Sequence, residues 1–305
     1  MRFLVIGPGA MGCLFSVRLK RAGYDVMLLD YKKDRAEFLN KNGIVLEDDK
    51  GSHRERIEVV YGDRIDRVDY AIICVKAYDT ERVARSLRGK FKDGIIVTLQ
   101  NGVGNMELLE EAFGKERVLG GVTSEGATLI EIGRVRHAGR GETVIGPSDR
   151  AERDCKRLVQ AFQEAGFNAR MEEDVLSLIW GKLIINVGIN ALTALLRVKN
   201  GMLLESEFSL NIMRELVNEA TLISKKRNIR LPYDNPFDKV CSVCKNTKDN
   251  ISSMLQDVMK GRKTEIDAIN GAIIRAGREL GIHTPFNSML TFLIHAIEET
   301  YGVRV

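Results

Sequence analysis

Lys182, Asn186 and Asn190 stand four residues apart inside the otherwise apolar run LIWGKLIINVGINALTALL. A helix turns about 100° per residue, so a four-residue step drifts only about 40°. The three side chains therefore share one stripe, and Thr193 falls near it. Burying an ammonium and two amides is costly unless something polar meets them. A small anionic or carbonyl ligand would do so. The plainer reading is a polar helix edge facing solvent, but the run is very apolar around the stripe for a surface helix.

A second set of residues suits phosphate. Gly7, Pro8, Gly9, Ala10, Met11 and Gly12 fit the pattern GxGxxG. They follow the apolar run RFLVI and open a helical segment. In that context the first glycine permits a tight turn, the second lets backbone approach a pyrophosphate, and the third allows close helix–strand packing. The helix N-terminus offers free N–H groups and a positive dipole end. This predicts dinucleotide binding. Asp30 ends the next apolar run, where an acidic residue bonds the ribose hydroxyls and favours NADH. Lys32, Lys33 and Arg35 follow at once and suit either the 2′-phosphate of NADPH or a solvated turn. Both cofactors stay open. Lys76 and Asn101 each follow a short β-rich run, at the strand ends where ligands sit in such sheets. A solvent-facing lysine and a turn asparagine are the bland alternatives.

The elements that must position these residues follow from periodicity. Residues 2–7, 25–30, 57–62, 69–75 and 94–100 read as short strands, with helical segments at 10–22, 78–88 and 105–113. The fold class is α/β, with an N-terminal Rossmann-type doubly wound sheet. The Gly- and Thr-rich stretch 117–146 reads as antiparallel strands added to the far side of that sheet. A helix (150–165) and the strand FNARM (167–171) complete a domain of residues 1–172. Residues 173–305 show only helical periodicity and read as an all-helical substrate domain, with a proline-bearing loop at 231–238.

Composition excludes several classes. At 305 residues, with 44% apolar and 29% charged residues, the chain has the make-up of a soluble globular protein with two cores. Net charge is +4, and the basic stretches KKRNIR and KGRK lack interleaved aromatics, so no nucleic-acid partner is expected. The N-terminus has no signal-peptide architecture, and polar residues interrupt the longest apolar stretch. A cytoplasmic protein without a membrane span is expected. Five cysteines argue against a disulfide framework, and Cys241-Ser-Val-Cys244 lacks the further ligands that zinc requires.

Taken together, these residues resemble the ketopantoate reductase (2-dehydropantoate 2-reductase) family over nearly the whole chain. GPGAMG resembles its glycine loop, and VKAYDT its VKA segment with Lys76 as the lysine. QNG at 100–102 resembles the segment that sets Asn101 beside the nicotinamide. GVTSEGAT and HAGRGETVIG look like family strands. KLIINVGINALTALLRVKNG carries over Lys182, Asn186, Asn190 and Asn200, and SSMLQD with KTEIDAING carries over Ser253, Asp257 and Glu265. The resemblance implies hydride transfer to the ketone of 2-dehydropantoate, giving (R)-pantoate for coenzyme A synthesis. It implies Lys182 as general acid, Glu265 orienting it or holding a substrate hydroxyl, and Ser253 on the substrate carboxylate. Asn186, Asn190 and Asn200 would position the remaining oxygens. NADP(H) is the family expectation, although members using NADPH often place a basic residue where this chain has Asp30 or Tyr31. A homodimer is compatible with the pattern.

Without the resemblance, Ser253 reads equally well as helix decoration. Glu265 likewise reads as an acid favoured by a helix dipole after the N-cap candidate Thr264. Other readings are a reductase of another branched 2-oxo acid, a 3-hydroxyacid dehydrogenase of the 6-phosphogluconate type, or a nucleotide sensor without catalysis.

Overall fold

The structure is a computed structural model describing residues 1–62, 67–91, 93–149 and 151–303. The chain forms two compact units: Met1–Gln100 with Asn105–Val175, and Asn101–Gly104 with Leu176–Val305. The short loop 101–104 thus groups with the helical unit, whereas the sequence pattern assigned it to the sheet.

Twelve strands are described in the first unit. They are β1 (Arg2–Ile6), β2 (Asp25–Asp30), β3 (Ile44–Asp48), β4 (Gly51–Glu55), β5 (Glu58–Tyr61) and β6 (Tyr70–Ile73). Then come β7 (Ile95–Thr98), β8 (Val118–Thr123), β9 (Gly126–Glu131), β10 (Arg134–Gly139), β11 (Glu142–Pro147) and β12 (Asn168–Met171). The main sheet has the order β12-β11-β8-β7-β6-β1-β2-β5. From β5 to β8 its neighbours are all parallel. β11 then pairs antiparallel to β8, and β12 parallel to β11. Both faces are buried, Phe3, Val5, Leu28 and Ile72 on one side and Leu4, Ile6, Met27 and Ile73 on the other. That is why these strands read as continuous apolar runs without alternation.

The helices of this unit are α1 (Ala10–Arg21), α2 (Lys33–Asn42), α3 (Thr80–Leu87), α4 (Asn105–Phe113) and α5 (Glu152–Glu164). α1 is buried from Gly12 to Val17 and again at Leu19 because it is covered on two sides. A second sheet of order β4-β3-β10-β9 packs on it. This corrects the expectation for residues 117–146. β8 and β11 do extend the main sheet, but β9 and β10 leave it to pair with the β3–β4 hairpin. The strands of the small sheet, such as GSHRE and RVRHAG, carry too few apolar positions to announce a buried face.

The second unit holds α6 (Val175–Leu196), α7 (Glu207–Lys226), α8 (Pro236–Asn246), α9 (Ser253–Met259), α10 (Asn270–Leu280) and α11 (Pro285–Glu299). Ser206, Asn235 and Ser252 cap α7, α8 and α9 through side-chain oxygens. α6 is long and apolar enough to cross a membrane by composition, yet most of that stretch is buried inside the unit. Gly188 makes this possible. A Cβ there would stand 2.9 Å from Val240 Cγ1 and 3.0 Å from Val217 Cγ2, so α7 and α8 lie directly on α6 backbone. The CxxC pair sits within α8 as free thiols, and no group able to hold a metal ion occurs among the described residues.

Gly188→Val forces stiff branched side chains together at that crossing. It should lower stability by about 2–3 kcal/mol in urea unfolding, as overpacking does.

Candidate active site

The glycine loop is built by sterics. Gly7 has φ +101°, and a Cβ there would stand 2.8 Å from Val75 Cγ1. At Gly12 a Cβ would stand 2.0 Å from the Gly7 carbonyl oxygen, so only glycine lets α1 close on the turn. Gly9 is the α1 N-cap, faces open space and offers no capping side chain. Pro8 rigidifies the turn, and the first-turn amides, beginning at Ala10 and Met11, have no intrahelical acceptor. That arrangement fits a dinucleotide pyrophosphate.

The second strand end is less simple than its sequence suggested. Asp30 is 1% exposed, and its carboxylate is taken up within the protein. Arg35 binds both of its oxygens, Nη2 to Oδ1 at 2.6 Å and Nε to Oδ2, and the Lys32 N–H donates to Oδ1 at 3.0 Å. The next residue, Tyr31, is 58% exposed. Around its ring lie Arg82 at 4.4 Å, Arg35 at 5.3 Å and Lys32 at 5.7 Å, while Lys33 lies over Tyr61. Arg82 comes from α3, distant in sequence, and the sequence pattern gave no hint of it.

Lys76 lies half-buried just past β6. The end of β7 is latched to this region by Gln100, whose Nε2 donates to the Val75 carbonyl at 2.8 Å and to Thr80 Oγ1 at 2.9 Å. Thr80 passes the bond on to Asn105 Oδ1 at 2.9 Å. Gln100 therefore fixes where the Asn101 loop begins.

In the helical unit the polar stripe of α6 is present. Lys182 and Asn186 are half-buried, and Asn190 is 6% exposed. Burial pulls the Lys182 ammonium down to about 8, and the Glu265 carboxylate acts the other way. Glu265 is buried at the start of a tight turn, Ile266–Ala268. Asn186 Nδ2 and Asn200 Oδ1 are buried without a hydrogen-bond partner in the protein. Asn200 Nδ2 donates to Thr247 Oγ1 at 2.9 Å, which holds its amide in place.

The serine segment divides into two roles. Ser252 is buried, caps α9, and its hydroxyl lies 2.8 Å from that of Thr193. Ser253 is exposed on the first turn of α9, and Asp257 is buried in the same helix. Asn101 belongs to this unit too. Gly102, with φ +87°, brings its loop so close that a Cβ would stand 2.3 Å from the Ala268 carbonyl oxygen. Val103 N–H bonds that same oxygen at 3.4 Å. Asn101 and the Glu265 turn are thereby tied together. The group can donate a proton from an ammonium poised near neutrality and orient several oxygens around it.

Comparison with known proteins identifies the family. Residues 3–150 match the family described as Ketopantoate reductase PanE/ApbA, and residues 174–298 match its C-terminal part. The chain belongs to the ketopantoate reductase family. Relatives in this family include the 2-dehydropantoate 2-reductase of Archaeoglobus fulgidus, 35% identical over 97% of this chain and 98% of that one. The enzyme of the same name from Pyrococcus horikoshii is 33% identical over 99% of both. Among solved structures, a PanE/ApbA family ketopantoate reductase from Ralstonia eutropha superposes with TM-score 0.90 at 29% identity, covering 98% of this chain and 99% of that one. D-mandelate dehydrogenase with NADH and anilino(oxo)acetate superposes with TM-score 0.92 at 28% identity, covering 99% of this chain and 100% of that one. As a ketopantoate reductase family member the chain is an oxidoreductase.

Proposed function

We propose that the chain is an NADPH-dependent 2-dehydropantoate 2-reductase that forms (R)-pantoate. The observation that carries this reading is Lys182, held near neutrality by burial and faced by Glu265 on a stripe of asparagines. Bound NADPH would supply the hydride. As charge builds on the ketone oxygen, the Lys182 ammonium stabilises it and gives up a proton. An acid with a pKa near the working pH suits that task. Glu265 keeps the ammonium charged and aimed. Asn186 Nδ2 and Asn200 Oδ1 bring amide atoms without a protein partner, and Asn190 extends the stripe. Ser253 on exposed α9 surface takes the substrate carboxylate. The amides of the glycine loop hold the pyrophosphate, with Asn101 beside the nicotinamide ring.

The choice of NADPH rests on Asp30. In an NADH enzyme that carboxylate is free to bind the ribose hydroxyls. Here Arg35 and the Lys32 amide occupy it, and what remains outward is Tyr31 among Arg82, Lys32 and Arg35. That surface suits a 2′-phosphate, and Lys76 adds charge at the neighbouring strand end. A cytoplasmic setting, a place in pantothenate and coenzyme A synthesis, and a homodimer belong to the same proposal.

A second reading is supported by the likeness to D-mandelate dehydrogenase with NADH. The same lysine and amides serve any 2-oxo acid.

In steady-state assays the protein should reduce 2-dehydropantoate faster with NADPH than with NADH. Lys182→Ala should lower kcat by about 10²–10⁴-fold, the usual contribution of a positioned acid. Activity confined to aryl 2-oxo acids with NADH would move the assignment to the second reading. Arg82→Ala should raise the KM for NADPH by about tenfold, from loss of one charge-assisted contact, and leave that for NADH nearly unchanged. Equal effects on both cofactors would remove Arg82 from the phosphate site.

A further inference from the structure

The turn that carries Glu265 is gripped by a helix that takes no part in the site described above. Residues 262–268 run beside the last turns of α11, and three side chains reach them at steps of three residues. His295 Nε2 lies 3.0 Å from Asp267 Oδ1. Glu298 Oε1 accepts the Thr264 N–H at 2.7 Å. Tyr301, just beyond the helix, donates its hydroxyl to the Arg262 carbonyl at 3.0 Å. Positions three apart share one helix face, so the first two contacts are rungs of one ladder. His295 Nδ1 also lies 3.5 Å from Glu298 Oε2, which joins those rungs. The ring can donate to both carboxylates only as an imidazolium. On the other side the turn meets Gly102 and Val103 at the Ala268 carbonyl.

This investment exceeds what packing requires. α11 already buries Leu290, Ile294 and Ile297 against the helical core. Glu298 is largely buried, its side chain 14% exposed, and it spends a carboxylate on the backbone N–H one residue before Glu265. A charge-assisted bond of this kind fixes position more tightly than an apolar contact.

We propose that His295 and Glu298 on α11, with Tyr301 just beyond it, form a rail that sets the Glu265 carboxylate against Lys182, with Glu298 as its principal positioning residue. The proposal rests on reading Lys182 and Glu265 as the reacting pair. Each of the three rail residues acts through the turn. A carboxylate that drifts from the ammonium supports its charge less, and small misplacements of reacting groups cost rate steeply.

The test uses full-length Glu298→Ala, Glu298→Gln and His295→Ala. Glu298→Ala should lower kcat for 2-dehydropantoate about ten- to a hundredfold, with the KM for NADPH little changed. Glu298→Gln keeps an oxygen for the Thr264 N–H and should recover most of the rate. A second readout needs no substrate: titration of Lys182 by NMR after ¹³C-methylation of the lysines. Its apparent pKa should fall in Glu298→Ala and return in Glu298→Gln. His295 is one-third exposed, more open than Glu298, so His295→Ala disturbs packing less and should give the same downward direction should Glu298→Ala fail to fold. If wild type is inert on 2-dehydropantoate but the Lys182 titration still shifts, the rail stands and the reaction assignment falls. Folded Glu298→Ala and His295→Ala proteins with wild-type kcat and an unmoved Lys182 titration would overturn the rail.

Discussion

One buried charge organises the helical unit. The Lys182 ammonium sits on an apolar helix where desolvation disfavours it, and the Glu265 carboxylate pulls in the opposite direction. The balance leaves an acid near neutrality, well below an exposed lysine. Each side needs its own support. Lys182 needs the apolar packing of α6, which depends on the close approach at Gly188. Glu265 needs a turn that cannot relax, and it is held by α11 on one side and the Gly102 loop on the other. The proposed chemistry follows from holding two opposite charges where neither is fully solvated.

The sheet unit meets a different constraint, the close approach of backbone to backbone. Glycines at 7 and 12 allow it, and the α1 N-terminal amides are left to serve the proposed pyrophosphate site. Burial of α1 between two sheets then fixes that terminus. Arginine and lysine gather instead at the strand end beside Tyr31, which the proposed function makes the place of choice between cofactors.

Much of this was legible in the sequence, for reasons that can be named. Buried parallel strands give continuous apolar runs, and a polar stripe inside an apolar helix is rare enough to stand out. The core strands of the parallel sheet and the stripe at 182, 186 and 190 therefore stand out from the sequence alone. Less legible was anything that depends on contacts distant in sequence. Asp30 reads as a free carboxylate until Arg35 is seen to bind it. Arg82 reaches Tyr31 from another helix. Ser252 and Ser253 are adjacent, and only the α9 cap decides which one turns inward. The small sheet is not legible because strands such as GSHRE and RVRHAG carry few apolar positions, and Asn101–Gly104 because a four-residue loop carries no periodicity.

The most direct test of the central balance is the pH dependence of kcat/KM for 2-dehydropantoate reduction, in wild type and in Glu265→Gln. A required ammonium gives a rate that is level at low pH and falls as pH rises through its pKa. For wild type that fall should centre near 8, as burial sets it. Removing the carboxylate charge removes the one effect that raises the Lys182 pKa, so the fall should move to lower pH in Glu265→Gln. A wild-type profile that holds level to the ordinary lysine range, or one that Glu265→Gln leaves in place, would contradict the account.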